Sequence, residues 1–207
     1  MDDRALDRDV AGAAAAHQAL LAMLDECLAA GDLDGVAPSR LPGWTVGHVV
    51  THLARNADSM VRVFEAAGRV ETVDRYPAGP AGRDAEIDAG AGRDPAELVG
   101  DVRATIWRLE AAWSGTAWDG SSRELGGREI PLADLPFLRW REVEVHRVDL
   151  GLGAEFADWP AAYVRIDLRQ MEMRWNARRP MGMTGLPPEA LAADPTTRLA
   201  WLLGRTE

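Results

Sequence analysis

The 207-residue sequence contains no lysine and only one cysteine. Without lysine, catalysis through a Schiff base on a side-chain amine is excluded. Cys27 has no partner for an internal disulfide, which is typical of a reducing compartment, and its place in a helical run favours a structural thiol over a nucleophile. The sequence also lacks a run of about 18 apolar residues and a signal-peptide core, so we expect a cytoplasmic protein without a membrane anchor.

Positive charge is scarce as well. The chain has 23 basic residues, all of them arginines, against 33 acidic residues, which gives a formal net charge of −10. Binding to nucleic acids or to an anionic membrane surface needs concentrated positive charge, so the composition argues against both kinds of partner. The apolar content of 47 % is sufficient for a core without disulfides. We therefore expect small-molecule partners, and the oligomeric state stays open.

Hydrophobic periodicity predicts a mainly α fold with four long helices and one long, partly helical crossover, which is typical of a four-helix bundle. We expect residues 1–153 to form a metal-binding bundle and residues 154–207 a reduced C-terminal region of α/β or irregular structure. The predicted elements are helices at 3–31, about 44–67, 94–113, 132–150, about 160–177 and 195–203, the crossover at 70–93, and two short extended pieces at 121–130.

The helix predicted over 132–150 carries ionisable residues on the stripe that should face the core. His146 and Asp149 fall within about 60° of Glu142 on a helical wheel. A buried ionised carboxylate is costly unless it is paired or binds a metal. Glu142 and His146 are four residues apart, so they can reach one point beside the helix, either as metal ligands or as a simple ion pair. Asp149 can orient a ligand through a hydrogen bond or be a charge near the helix end.

The second helix supplies a further histidine for this group. His52 lies at the edge of an apolar sector, and Asn56 on the same face suggests the wall of a polar cavity. His48, one turn earlier, points further from that sector and is the alternative ligand. His17, in the middle of the apolar face of the first helix, is predicted to be a hydrogen-bonded core histidine or to line the same cavity.

Two histidines and one glutamate form a ligand set suited to a divalent metal such as zinc. Three protein ligands leave a coordination position open for water or substrate, as catalytic zinc requires. An open position also activates water, so a metal-dependent hydrolase is one candidate function. A non-catalytic metal-binding or stress-related bundle, and a purely structural polar core without metal, are the other candidates.

Three segments carry a family resemblance. They read LPGWTVGHVVTHLARN at 41–56 and RWREVEVHRVDLGLG at 139–153, and a third, LAWLLGR at 199–205, closes the chain. All three resemble the actinobacterial mycothiol-dependent maleylpyruvate isomerases, which belong to the DinB-like four-helix metalloproteins. The resemblance implies that His52, Glu142 and His146 hold the metal and that mycothiol is the thiol cosubstrate.

The resemblance further implies a thiol-dependent reaction on an electrophilic small molecule. A thiolate adds to an activated double bond, and bond rotation with thiol loss gives cis–trans isomerisation; if the product keeps the sulfur, the activity is that of an S-transferase. The family also has a basic residue in its C-terminal domain that could clamp a substrate carboxylate. Arg205 is its nearest match here, with Arg178 and Arg179 as further options and a solvated surface charge as the structural alternative. Because the region after Gly153 is short for this family, the substrate stays open.

Overall fold

The structure is a computed structural model that describes residues 3–178 and 185–205. The chain divides into two compact units, Met1–Leu152 and Gly153–Glu207. The roles predicted for residues 1–153 and 154–207, a metal-binding bundle and a reduced C-terminal region, stay predictions. None of the helices within the described ranges combines the length and hydrophobicity needed to span a bilayer.

The described residues form eight α-helices and one short antiparallel sheet. One-turn 3-10 helices precede the fifth and sixth α-helices, at Leu132–Asp134 and Phe156–Asp158. The elements are α1 Asp3–Ala30, α2 Val46–Ala67, α3 Gly79–Ala91, α4 Pro95–Ser114, β1 Ser121–Arg123, β2 Glu129–Pro131, α5 Leu135–Asp149, α6 Ala161–Ala177, α7 Pro188–Ala192 and α8 Pro195–Leu202.

Helices α1, α2, α4 and α5 are the four long helices of the first unit, and they pack around one hydrophobic core. α2 packs against α4, α1 packs against α5, and further contacts join α1 to α4 and α2 to α5. Fully buried side chains fill the space between them, among them Leu20, Leu53, Met60, Leu109 and Val143. The predicted four-helix bundle is confirmed, and α3 lies in the predicted crossover.

The start of α2 is fixed by a capping box in which a histidine takes the place usually held by a glutamate or glutamine. The Thr45 hydroxyl accepts the backbone N–H of His48, and His48 Nδ1 accepts the backbone N–H of Thr45 at 3.2 Å. Two orphan donors of the first turn are thereby satisfied. This cap sets where α2 begins and, through the helical repeat, which of its residues face α5.

A close approach of three backbone segments surrounds Gly47 in the first turn of α2. Its N–H donates to the Gly35 carbonyl at 2.8 Å. A Cβ at this position would lie 2.0 Å from the Ala91 carbonyl oxygen, at the end of α3. Only glycine leaves room for this contact, so Gly47 allows α3 to lie directly against the start of α2.

The described residues of the second unit form three α-helices, one 3-10 turn and irregular connections, with no strand among them. α8 packs against α6 and α7. Arg198 on α8 ties the segments together, because its guanidinium donates to the carbonyls of Ala190, Leu191 and Ala193. The short helix α7, in a stretch containing two consecutive prolines, was not among the predicted elements.

Candidate metal centre

Three of the predicted site residues converge between α2 and α5. His52 Nε2 lies 2.9 Å from Glu142 Oε2, and His146 Nε2 lies 3.6 Å from the same oxygen. One ligand atom from each of the three side chains falls within 4.8 Å of the others. The two imidazoles meet edge to face with ring centroids 4.7 Å apart. His52 is buried, whereas Glu142 and His146 are half-buried, so the group lies at the wall of the bundle.

The proton positions at His52 follow from its neighbour on the other side. Arg83 Nη2 lies 3.1 Å from His52 Nδ1. An arginine can only donate, so Nδ1 accepts and Nε2 carries the proton that is donated to Glu142. Burial lowers the pKa of His52 to about 4, against the smaller opposing effect of Glu142. His52 is therefore neutral near pH 7, as a metal ligand must be.

Glu142 and His146 each stabilise the charged form of the other. Burial alone raises the pKa of Glu142, but the facing nitrogens of His146 and His52 outweigh it and hold that pKa well below its usual range. Burial likewise opposes charge on His146, yet Asp149 and Glu142 raise its pKa above the ordinary value. The carboxylate is therefore ionised, and the site offers a negative oxygen between two imidazoles.

Asp149 is hydrogen-bonded to the ring nitrogen of His146 that does not face Glu142. Its Oδ2 lies 2.8 Å from His146 Nδ1, and its side chain is buried at the end of α5. A carboxylate in this place fixes a proton on Nδ1, orients the ring and leaves Nε2 directed at Glu142. Of the two roles considered for Asp149, this geometry matches the orienting one.

The donor set fits a divalent metal such as zinc. Ligand atoms held at about 2.1 Å from zinc in a tetrahedron lie roughly 3.4 Å apart. The observed separations of 2.9 and 3.6 Å bracket that value. Two imidazole nitrogens and one carboxylate oxygen also leave at least one coordination position for water or a small molecule. The arrangement can therefore bind a metal that keeps an open position.

The other histidines and Asn56 are not part of this group. His48 Nδ1 is engaged with Thr45, and its Nε2 lies 3.6 Å from Asp88 Oδ1. His17 is fully buried in the core with both ring nitrogens engaged. Asn56 Oδ1 accepts a hydrogen bond from Arg139.

Sequence reasoning did not single out Arg139, although it is the largest fully buried side chain of the described residues. Its Nε donates to His17 Nε2 at 2.9 Å, and its Nη1 donates to the Leu53 carbonyl and to Asn56 Oδ1, both at 2.9 Å. It thereby links α1, α2 and α5 one turn before Glu142. Burial lowers its pKa to about 10, so it remains charged near pH 7. The sequence signal was an arginine on the same stripe of the predicted helix as Glu142 and His146.

This network makes His17 a source of acid sensitivity. Because Nε2 accepts from Arg139, the neutral ring donates from Nδ1 to Glu110. Burial lowers the pKa of His17 from 6.5 to about 4. Between these two pKa values, His17 is protonated in the unfolded chain but neutral in the folded chain. The free energy of unfolding therefore falls as the pH falls, by about 1.4 kcal/mol per pH unit.

We expect His17→Gln to lose less stability on acidification than the unchanged protein. The glutamine oxygen can still accept from Arg139, but it does not titrate. From about pH 6.5 to about pH 4.5, the free energy of unfolding should fall by roughly 2 kcal/mol less in the variant. Urea denaturation at several pH values measures this difference; parallel pH profiles would contradict it.

The arginines predicted for substrate binding lie in the second unit or outside the described residues. Arg205 Nη1 donates to the Leu203 carbonyl at 2.9 Å, and Arg178 caps the C-terminus of α6. Arg179 lies outside the described residues. The catalytic role predicted for Arg205 stays a prediction.

Cys27 is half-buried on α1, and burial raises its pKa, so it is held as a thiol.

Two solved structures resemble this chain. The crystal structure of the mycothiol-dependent maleylpyruvate isomerase is 23% identical, covers 97% of this chain and 90% of its own, and superposes with a TM-score of 0.84. A crystal structure of a histidine-to-alanine mutant of the mycothiol-dependent maleylpyruvate isomerase is 26% identical, covers 84% of this chain and 72% of its own, and gives a TM-score of 0.75. The curated proteins include no match.

These likenesses confirm the DinB-like fold class. A family model described as the mycothiol maleylpyruvate isomerase N-terminal domain matches residues 13–151, which include all three converging side chains. The match covers most of the chain and confirms the predicted membership. The chain belongs to the mycothiol maleylpyruvate isomerase N-terminal domain family, which is named for an enzyme.

Proposed function

We propose that this protein is a mycothiol-dependent isomerase of the maleylpyruvate isomerase type. His52, Glu142 and His146 bind a divalent metal in it, and zinc is the metal we propose. The observation that carries the proposal is the convergence of these three side chains within 4.8 Å. All three lie inside the segment that the family model matches. The names of the two similar structures support mycothiol as the thiol.

The metal, when bound, favours the thiolate form of a thiol at its open position. The protein's own residues prepare that position. Asp149 fixes the His146 ring with Nε2 directed at Glu142, and burial keeps His52 neutral, so His52 needs only to move its proton from Nε2 to Nδ1 before Nε2 binds a metal. The Trp44 ring packs edge-on against His52 at 5.5 Å between centroids and shields one side of the imidazole from water.

The reaction itself leaves the composition of the substrate unchanged. The thiolate sulfur forms a bond to one carbon of a double bond conjugated with a carbonyl group, and the electron pair moves onto the carbonyl oxygen. The former double bond is now single and rotates. The electron pair then returns, the carbon–sulfur bond breaks, and the thiolate leaves the trans isomer. If a proton is added before the sulfur leaves, the same site performs an S-transfer.

The first test combines metal analysis with an isomerase assay. We expect close to one metal per chain and mycothiol-dependent conversion of maleylpyruvate, lost on chelation and restored by zinc. His52→Ala should lose metal and activity together, whereas His48→Ala should keep both, apart from a stability loss of about 1 kcal/mol at the cap. Full metal occupancy in His52→Ala would contradict the ligand assignment.

Two outcomes separate the alternatives. A stable adduct between mycothiol and the electrophile, seen by mass spectrometry, would favour S-transfer over isomerisation. Metal binding with no effect of any thiol would favour a hydrolase or a non-catalytic bundle. A hydrolase would also need a general base, and Asp149, which lies beside the site, is buried and hydrogen-bonded to His146.

A further inference from the structure

Arg83 of α3 is hydrogen-bonded to His52 but is not one of the proposed metal ligands. Its Nη2 lies 3.1 Å from His52 Nδ1, and its Nη1 pairs with Asp84 at 2.7 Å. Its side chain is 21% exposed, so it is reachable from solvent, whereas Asp84 is 60% exposed. α3 packs against α2, which carries His52. The guanidinium therefore lies at the edge of the site rather than in the core.

Metal binding at His52 is incompatible with this hydrogen bond. In the arrangement seen here, Nδ1 accepts from Arg83 and Nε2 carries the proton. A neutral imidazole that binds metal through Nε2 carries its proton on Nδ1, which then faces another donor. If the metal bound Nδ1 instead, the acceptor lone pair would be consumed. In either case the guanidinium must leave His52.

The displaced guanidinium then has no favourable partner among the proposed ligands. A divalent metal with the single negative charge of Glu142 leaves one positive charge at the centre, and Arg83 adds another beside it. Its remaining ion pair, with Asp84, is largely exposed and therefore weak. An anion held at the open metal position would interact favourably with both charges. A carboxylate matches the guanidinium best, because two parallel N–H groups can bind its two oxygens.

We propose that Arg83 binds a carboxylate of the substrate in the metal-loaded site, and that in the metal-free protein it holds His52 in the tautomer whose Nε2 carries the proton and cannot bind a metal. This inference rests on the proposed metal-dependent function and deepens it. The substrate class is a small molecule with a carboxylate close to its reacting double bond. The recognition comes from the helical bundle itself, independently of the arginines of the second unit.

The test measures binding rather than turnover. Arg83→Met removes the donor and the charge while keeping the length of the side chain. Calorimetric titration of the metal-free protein should give about tenfold tighter zinc binding in this variant, because a charge-assisted hydrogen bond no longer has to be broken. Titration of the zinc-loaded protein with maleate, a simple dicarboxylate, should give about tenfold weaker binding.

Two controls separate this role from a general effect of charge or packing. Arg69→Met removes the same charge at an exposed position and should leave both affinities unchanged. Arg83→Lys keeps a charged donor, so zinc affinity should stay near that of the unchanged protein, while maleate affinity should fall because an ammonium cannot bind a carboxylate through two parallel bonds.

The inference is overturned if Arg83→Met, folded by circular dichroism, binds zinc no more tightly, or maleate no more weakly, than the unchanged protein. A purely structural role for Arg83 would weaken both. If the unchanged protein takes up zinc in that case, the proposed function stands and only the role of Arg83 fails. If the unchanged protein takes up no zinc, both proposals fail.

Discussion

Glu142→Gln is expected to lower zinc affinity by at least about 100-fold and to reduce thiol-dependent isomerisation to background. Loss of a residue that merely supports a ligand costs about 10–100-fold in metal affinity. Glu142 is a proposed ligand and also the negative charge between two imidazoles. A glutamine keeps the shape and can still accept from His52, so the fold should persist while the charge that attracts the cation is lost. Calorimetry and elemental analysis after dialysis measure the effect.

Glu144→Gln is the matched control, because it makes the same chemical change two residues along the same helix. Glu144 is buried and accepts from Trp140 Nε1 and Arg147. Trp140 donates to one carboxylate oxygen and Arg147 to the other, so a glutamine keeps only one of these bonds and stability should fall by about 1–3 kcal/mol. Metal content and activity should stay near those of the unchanged protein. Equal loss of metal in the two variants would show that any change in α5 disturbs the site, and would remove the support for Glu142 as a ligand.

Gly47→Ala is expected to destabilise the first unit by about 3 kcal/mol or more, at the upper end of the cost of overpacking. The added Cβ would lie 2.0 Å from the Ala91 carbonyl oxygen and 2.9 Å from that of Gly35. Both neighbours are backbone atoms, so no side-chain rotation can relieve the contact. Denaturant unfolding should show a lower midpoint. Because Gly47 lies five residues before His52, zinc affinity should fall as well.

Gly100→Ala is the same substitution at another helical glycine, and we expect it to raise stability rather than lower it. Gly100 is an exposed residue of α4, and a Cβ there meets nothing within 4 Å. Replacing a helical glycine by alanine removes backbone freedom from the unfolded chain and should stabilise by about 0.5–1 kcal/mol. If the two variants shifted stability in the same direction, the close approach at Gly47 would not have the structural importance that its contacts indicate.

Most of the bundle was predictable because its signals are local. The long helices follow from apolar residues at helical spacing, and the start of α2 from Thr45. The convergence of Glu142 and His146 also follows from their spacing, since residues four apart on a helix are neighbours. Pairing them with His52 needed the further observation that both stripes carry polar groups where a core is expected.

The long-range partners could not be read from the sequence. Arg83 reaches His52 from 31 residues away, and Arg139 reaches His17 across 122 residues. No periodicity or cap encodes such contacts, because they depend on how helices are placed in space. The bounds of α3 were hidden for a different reason: glycine and proline in residues 70–93 weaken the helical signal. The predicted role of Arg205 came only from the family resemblance.

The contact between His52 and Glu142 joins residues that are 90 positions apart in the chain. With a metal bound between them, it becomes a cross-link that closes a long loop, and such closures restrict the unfolded chain the most. The sequence has one cysteine and no means of making this link by an internal disulfide. A metal link is reversible, and its contribution grows with the logarithm of free metal concentration. The lifetime of the folded protein would then depend on the metal supply of its surroundings, and metal starvation would reduce its amount as well as its activity.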